Sequence, residues 1–189
     1  MSDNLTIPCL SLWQPWAGLL FNGKDVENRS WATNYRGPLL IHAAKKMDVI
    51  GFGTARQLYY RHLHPHSERP ERPSQKHFDE VHSKVAKLTD PESIFQVQGA
   101  ILGIVNLVAC KRSYPGMSMW HFPDQWGWYL ENALEFTKPI PYRGRQRLFR
   151  VPIDSLPCEA LGNGKIVVAL RLKAMHLNPR SPCSMQLKS

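Results

Sequence analysis

Four cysteines in 189 residues, at positions 9, 110, 158 and 183, are too few and too scattered for a disulfide framework. None belongs to the C-x-x-C pair of a zinc site or a thioredoxin-like redox motif, so free thiols in a reducing compartment are expected. There is also no unbroken run of about 18 apolar residues, and hence no transmembrane helix is expected. The start, MSDNLTIPCLSLW, lacks a basic segment followed by a long apolar run, so no secretory signal is read there. These absences predict an intracellular location, cytoplasmic, or nuclear in a eukaryote. Phosphate loops, dinucleotide glycine fingerprints, G-x-S-x-G elbows and H-E-x-x-H helices are missing too, and no cofactor is expected. The alternating His62-Leu63-His64-Pro65-His66 reads as a solvated proline-rich loop, not a metal site.

Negative charge is the scarce sign. Fifteen acidic residues stand against 24 Lys and Arg, a formal net charge of +9. That excess favours a polyanionic partner, nucleic acid before membrane, because no basic amphipathic helix stands out. The hydrophobic share of 43% is that of a globular chain, and the length suits one domain with a proper core.

Along the chain, LSLWQ starts as a strand, Pro15 suits the first position of a short helix, and Gly23 would end it. VENRSW and LLIHA follow as strands, the latter buried. VIGFGTARQLYYRHL reads as a helix, 61–75 as a polar loop, and 76–88 as a second helix with Phe78, Val81, Val85 and Leu88 on one face. Strands are predicted at AILGIVNLVAC (100–110), WGWYLENALEF (126–136) and KIVVALRLKAM (165–175), with KPIPYRGRQRLFRVP crossing between the last two. The count is five or six strands with a helix near the front and a helical segment in the middle. This predicts an α+β chain built on a partly closed β-barrel.

Two features carry chemistry. Six tryptophans (13, 16, 31, 120, 126 and 128) are each a core candidate, yet Trp beside Arg and Lys is also how proteins stack a base and hold its phosphate. The second is NGKDVENRSW, residues 22–31. On an extended VENRS, Glu27 and Arg29 share one face while Val26 and Asn28 share the other, and Lys24 in the turn before can reach Glu27. Such a cluster is either a plain ion-pair group or a site in which the cations hold an anion and Glu27 meets a base edge or moves a proton.

The K-x-x-E-x-R run in GKDVENR resembles the signature of the ASCH superfamily, small domains related to the PUA barrel. CLSLWQPWAGLL, VENRSW, YRGPLLIHAAKK, GAILGIVNLVAC and KPIPYRGRQRLF are similar to segments of that domain, in the same order over roughly residues 8–175. The likeness extends both to the ASCH domain of a transcription coactivator and to stand-alone ASCH proteins. In this chain the motif glycine, Gly23, directly precedes Lys24 instead of standing two residues away.

The resemblance implies a PUA-like single domain over 1–175 with a helical insertion at about 47–98, and a flexible tail at 176–189. It also implies a nucleic-acid or nucleotide module, for RNA or single-stranded DNA, with Lys24, Glu27 and Arg29 flooring a cleft. Trp13 and Gln14 would lie against the motif, with His42 and Lys45 as wall residues. Arg143, Arg145 and Arg147 would lead the phosphate contacts, joined by Arg36, Lys46, Lys111, Arg112 and Arg150. Some ASCH proteins are amidohydrolases that act on N4-acetylcytidine, pairing the motif lysine with a threonine where this chain has Glu27, and with a further glutamate, for which Glu131 is the candidate here. Ribonuclease activity is a further possibility that the resemblance raises. In either enzyme reading Lys24 and Glu27 would be the catalytic residues. A protein partner on the 47–98 insertion is the third possibility.

Overall fold

The computed structural model describes residues 6–64, 75–112 and 118–156. Six strands form one mixed sheet in the order β2-β5-β4-β3-β1-β6. They are β1 (Thr6–Gln14), β2 (Val26–Arg29), β3 (Gly37–Met47), β4 (Ala100–Arg112), β5 (Trp126–Pro141) and β6 (Leu148–Pro152). β1 and β3 pair in parallel, and every other neighbour is antiparallel. Among the described residues β2 and β6 are free edges, so the sheet curls without closing. This is the expected α+β, partly open barrel architecture. The predicted strand at 165–175 and the tail at 176–189 lie outside the described residues.

The sheet is apolar on both faces. Ile7, Cys9 and Leu40 point into one core with Ile101, Phe136 and Val151. Their alternating neighbours Leu10, Leu12, Leu39 and Ile41 point into a second with Leu102, Val105 and Trp128. Burial on both sides is why LLIHA reads as a continuous apolar run. The buried Cys9 thiol is correspondingly held protonated, its pKa raised by desolvation.

Helix α1 (Trp16–Leu19) follows Pro15, which stands at its N-cap, one position before the expected one. α1 ends at Leu19 with Leu20 as its C-cap, so Gly23 does not end the helix as expected; it stands three residues past the cap at φ +99°, in a turn where the Asn22 and Lys24 amides both bond back to the Leu19 carbonyl. Only glycine takes that backbone conformation without cost.

The segment between β3 and β4 carries α2 (Gly51–Leu63) and α3 (Gln75–Ala86). Ala55, Tyr59, Val81, Val85 and Leu88 from it pack with Leu19 and Val26, forming a third core behind the motif turn. The histidine run is not a solvated loop at its start. His62 ends α2, its ring 5.8 Å from that of Trp120, and its Nε2 lies 2.2 Å from where a methyl on Gly23 would be. The β3–β4 segment therefore backs the turn that presents Lys24. No helix among the described residues is long and apolar enough to cross a membrane.

Candidate nucleic-acid cleft

The motif folds as its alternation requires. Glu27 Oε2 lies 2.5 Å from Lys24 Nζ and Glu27 Oε1 lies 3.3 Å from Arg29 Nη2. Lys24 and Glu27 are 3% and 7% exposed. Val26 and Asn28 face away, Val26 into the third core and Asn28 to Trp120 O and Phe122 N. Burial pushes the Lys24 ammonium pKa below the ordinary lysine value, and the Glu27 carboxylate pulls it part of the way back.

In front of this pair lie two adjoining chambers. The smaller, about 240 Å³, is lined by Ser11, Leu12, Trp13, Trp16, Glu27 and Arg29. The larger, about 1080 Å³, shares Ser11, Trp13 and Arg29 and is walled by Trp31, His42, Lys45 and the segment 141–147. Among the described residues its lining holds five cations (Arg29, Lys45, Arg143, Arg145 and Arg147) and no carboxylate. Trp13 is 45% exposed between the chambers, with Lys46 Nζ 4.4 Å from its ring centroid.

The segment after β5 forms the rim. Tyr142 N bonds to Gly99 O, and Tyr142 O meets His42 Nε2 at 3.0 Å. Gly144 packs directly on the floor: a methyl there would stand 2.4 Å from His42 Cε1 and 2.8 Å from Ser11 Oγ. Arg147, at φ +59°, turns the chain back into β6. His42 is buried, bonded also to Ser11 Oγ at 3.0 Å, and desolvation lowers its pKa.

Of the ten residues expected at the site, seven line the large chamber: Trp13, Arg29, His42, Lys45, Arg143, Arg145 and Arg147. Glu27 lines the small one. Lys24 lines neither and stands behind Glu27. Gln14 is fully buried away from the cleft. Its amide nitrogen reaches Ile94 O at 2.7 Å and Val97 O at 2.9 Å, while its oxygen accepts from Gly18 N. Gln14 therefore ties the stretch just before β4 to β1.

Arg36, Lys46, Lys111, Arg112 and Arg150 line neither chamber, and Lys111 and Arg112 lie instead over Tyr129 and Trp126. Glu131 is exposed on β5 opposite Asn106, also away from both chambers. Sequence reasoning passed over Ser11, and it counted Trp31 among six tryptophans without choosing it for the site. The signal for Ser11 was its register opposite His42 in the parallel β1–β3 pair, which a single chain does not display.

Activating signal cointegrator 1 of Homo sapiens and that of Mus musculus are each 27% identical to the chain over 153 residues, 76% of this chain and 22% of the relative. The chain thus spans about a fifth (22%) of the length of these curated relatives. The family model described as "ASCH domain" matches residues 10–140, from within β1 to the end of β5 but for Pro141, with the Lys24–Glu27–Arg29 motif, α2 and α3 between. The chain belongs to the ASCH domain family.

Proposed function

We propose that the cleft binds single-stranded nucleic acid or a nucleotide, with phosphates on Arg143, Arg145, Arg147 and Lys45 and a base against Trp13. The observation that carries this reading is the lining of the large chamber: among the described residues, five cations, no carboxylate, and an exposed tryptophan beside them. Phosphate contacts supply most of the affinity in such modules, and base–aromatic stacking adds to it without demanding sequence. Membership of the ASCH family supports it. The test is anisotropy of labelled single-stranded RNA and DNA across a salt titration. Affinity that falls steeply with salt is expected; salt-independent binding, or none, would sink the reading.

One observation favours a second, enzymatic reading. Lys24 and Glu27 form a close buried pair in which the lysine pKa is lowered, the kind of environment that tunes groups for proton transfer. On this reading Glu27, which borders the small chamber, meets the substrate and Lys24 sets its charge. Incubation with N4-acetylcytidine, or with RNA, and chromatography of the products tests it. Turnover unchanged in Lys24→Ala removes the reading.

A further inference from the structure

Ser11 and His42 are register partners on the parallel strands β1 and β3, and both line the large chamber. Ser11 Oγ stands 3.0 Å from His42 Nδ1, and His42 Nε2 stands 3.0 Å from the Tyr142 carbonyl oxygen. A carbonyl only accepts, so Nε2 carries the proton and donates it to Tyr142. Nδ1 is then a lone pair, and the Ser11 hydroxyl donates to it. The imidazole is 2% exposed and held neutral by its burial. A hydroxyl on a neutral base that is itself pinned by a third group is the arrangement of an activated nucleophile.

We propose that Ser11 and His42 form a nucleophile–base pair that hydrolyses an acyl ester carried by a phosphate-bearing molecule. Ser11 Oγ would attack the acyl carbonyl while its proton passes to His42 Nδ1. The new Oγ–C bond forms, the bond from the carbonyl carbon to the leaving oxygen breaks, and that oxygen takes the proton from Nδ1. A water, deprotonated in turn by Nδ1, then cleaves the Ser11 ester to the free acid and restores the hydroxyl. Arg29 lines both chambers beside Ser11, and its guanidinium is the charged donor there for the developing oxyanion. Arg143 and Arg145 supply the phosphate contacts. The group orienting His42 is a carbonyl, not a carboxylate, so the imidazolium gains less stabilisation than in a Ser-His-Asp triad and turnover is slow.

This goes beyond the binding reading and fails separately from it, because its readout is a covalent adduct that needs no nucleic acid. The full chain is treated with a fluorophosphonate probe and the modified peptide is identified by mass spectrometry. The expected result is an adduct on Ser11, absent in Ser11→Ala and formed about 100-fold more slowly in His42→Gln. Labelling of the wild type should also slow as pH falls and the imidazole protonates. Inorganic pyrophosphate should slow labelling of the wild type and not of an Arg143→Ala/Arg145→Ala variant. A Ser11 that stays unmodified overturns the proposal, as does an equal rate in folded His42→Gln. Should that variant not fold, a wild-type labelling rate flat between about pH 5 and pH 8 overturns it just as well. Pyrophosphate without effect removes the phosphate from the substrate.

Discussion

Lys24 Nζ lies 2.5 Å from Glu27 Oε2, and neither group reaches the large chamber. The motif's charges therefore serve first to hold one another. Arg29, touching the other Glu27 oxygen, is the member that enters both chambers. Truncating one partner of a buried pair leaves the other charge without compensation, at a cost of about 3–5 kcal/mol. Lys24→Ala and Glu27→Ala should each lose stability on that scale. The double variant Lys24→Ala/Glu27→Ala should lose less than the two single losses summed, because the buried ammonium and carboxylate go together and Arg29, whose side chain is 24% exposed, keeps contact with solvent. Urea unfolding of the four proteins measures this, and additive losses would show that the pair is not coupled.

A second expectation concerns the fit of the rim. Gly144 lies so close to His42 and Ser11 that a methyl group would stand 2.4 Å from His42 Cε1. Both obstacles are held by hydrogen bonds, so the rim must lift. Gly144→Ala should cost about 1–3 kcal/mol by overpacking and should weaken nucleic-acid binding by moving Arg143 and Arg145 off the chamber. Thermal melting and anisotropy report the two effects. An alanine variant matching the wild type in both would show that the rim does not sit on the strands.

How far these relationships were readable beforehand depends on their range in the chain. The alternation of Val26, Glu27, Asn28 and Arg29 is local, and period two sorted their faces correctly before any fold was known. Gly23 was legible as a left-handed turn residue, but the helix it was expected to end stops at Leu19, before it. Gln14 was not: on the strand before the motif, it is turned inward by two carbonyls about 80 residues on. The tryptophans carry the same lesson. Trp120 and Trp128 are buried and Trp13 is exposed, and what separates them is which strands and helices cover each ring. The density of arginines at 143–147 was plain, but their place at a cleft rests on Tyr142 pairing with His42, 100 residues away.

The same histidine makes stability depend on pH. Its ring meets Ser11, Tyr142, Gly144 and Phe149, none of which is charged near neutrality. Burial lowers its folded pKa below the ordinary value of about 6.5. The unfolded chain therefore takes up this proton first, and the stabilising contribution is complete above about pH 6.5 and is lost as pH falls through the lower, folded value. Melting temperatures between pH 7.5 and pH 5 should drop more in the wild type than in His42→Gln. Parallel curves would place the acid sensitivity elsewhere.

Trp13 and the rim arginines act on nucleic acid by different physics, and salt separates them. Each phosphate neutralised on a single strand contributes about −0.7 to the slope of log affinity against log salt. If Arg143, Arg145 and Arg147 each hold one, changing all three to Ala should flatten that slope by about 2 and weaken binding most at low salt. Trp13 carries no charge, so Trp13→Ala should cost about 1–3 kcal/mol of binding at every salt concentration and leave the slope where it was. Anisotropy titrations at four or more salt concentrations resolve both outcomes. Should the arginine variant keep the wild-type slope, the phosphates lie elsewhere on the chain, and Lys111 and Arg112 on β4 become the next cations to change. Should Trp13→Ala alter the slope instead, the residue would be acting through Lys46, whose ammonium rests on its ring, and not as a stacking platform.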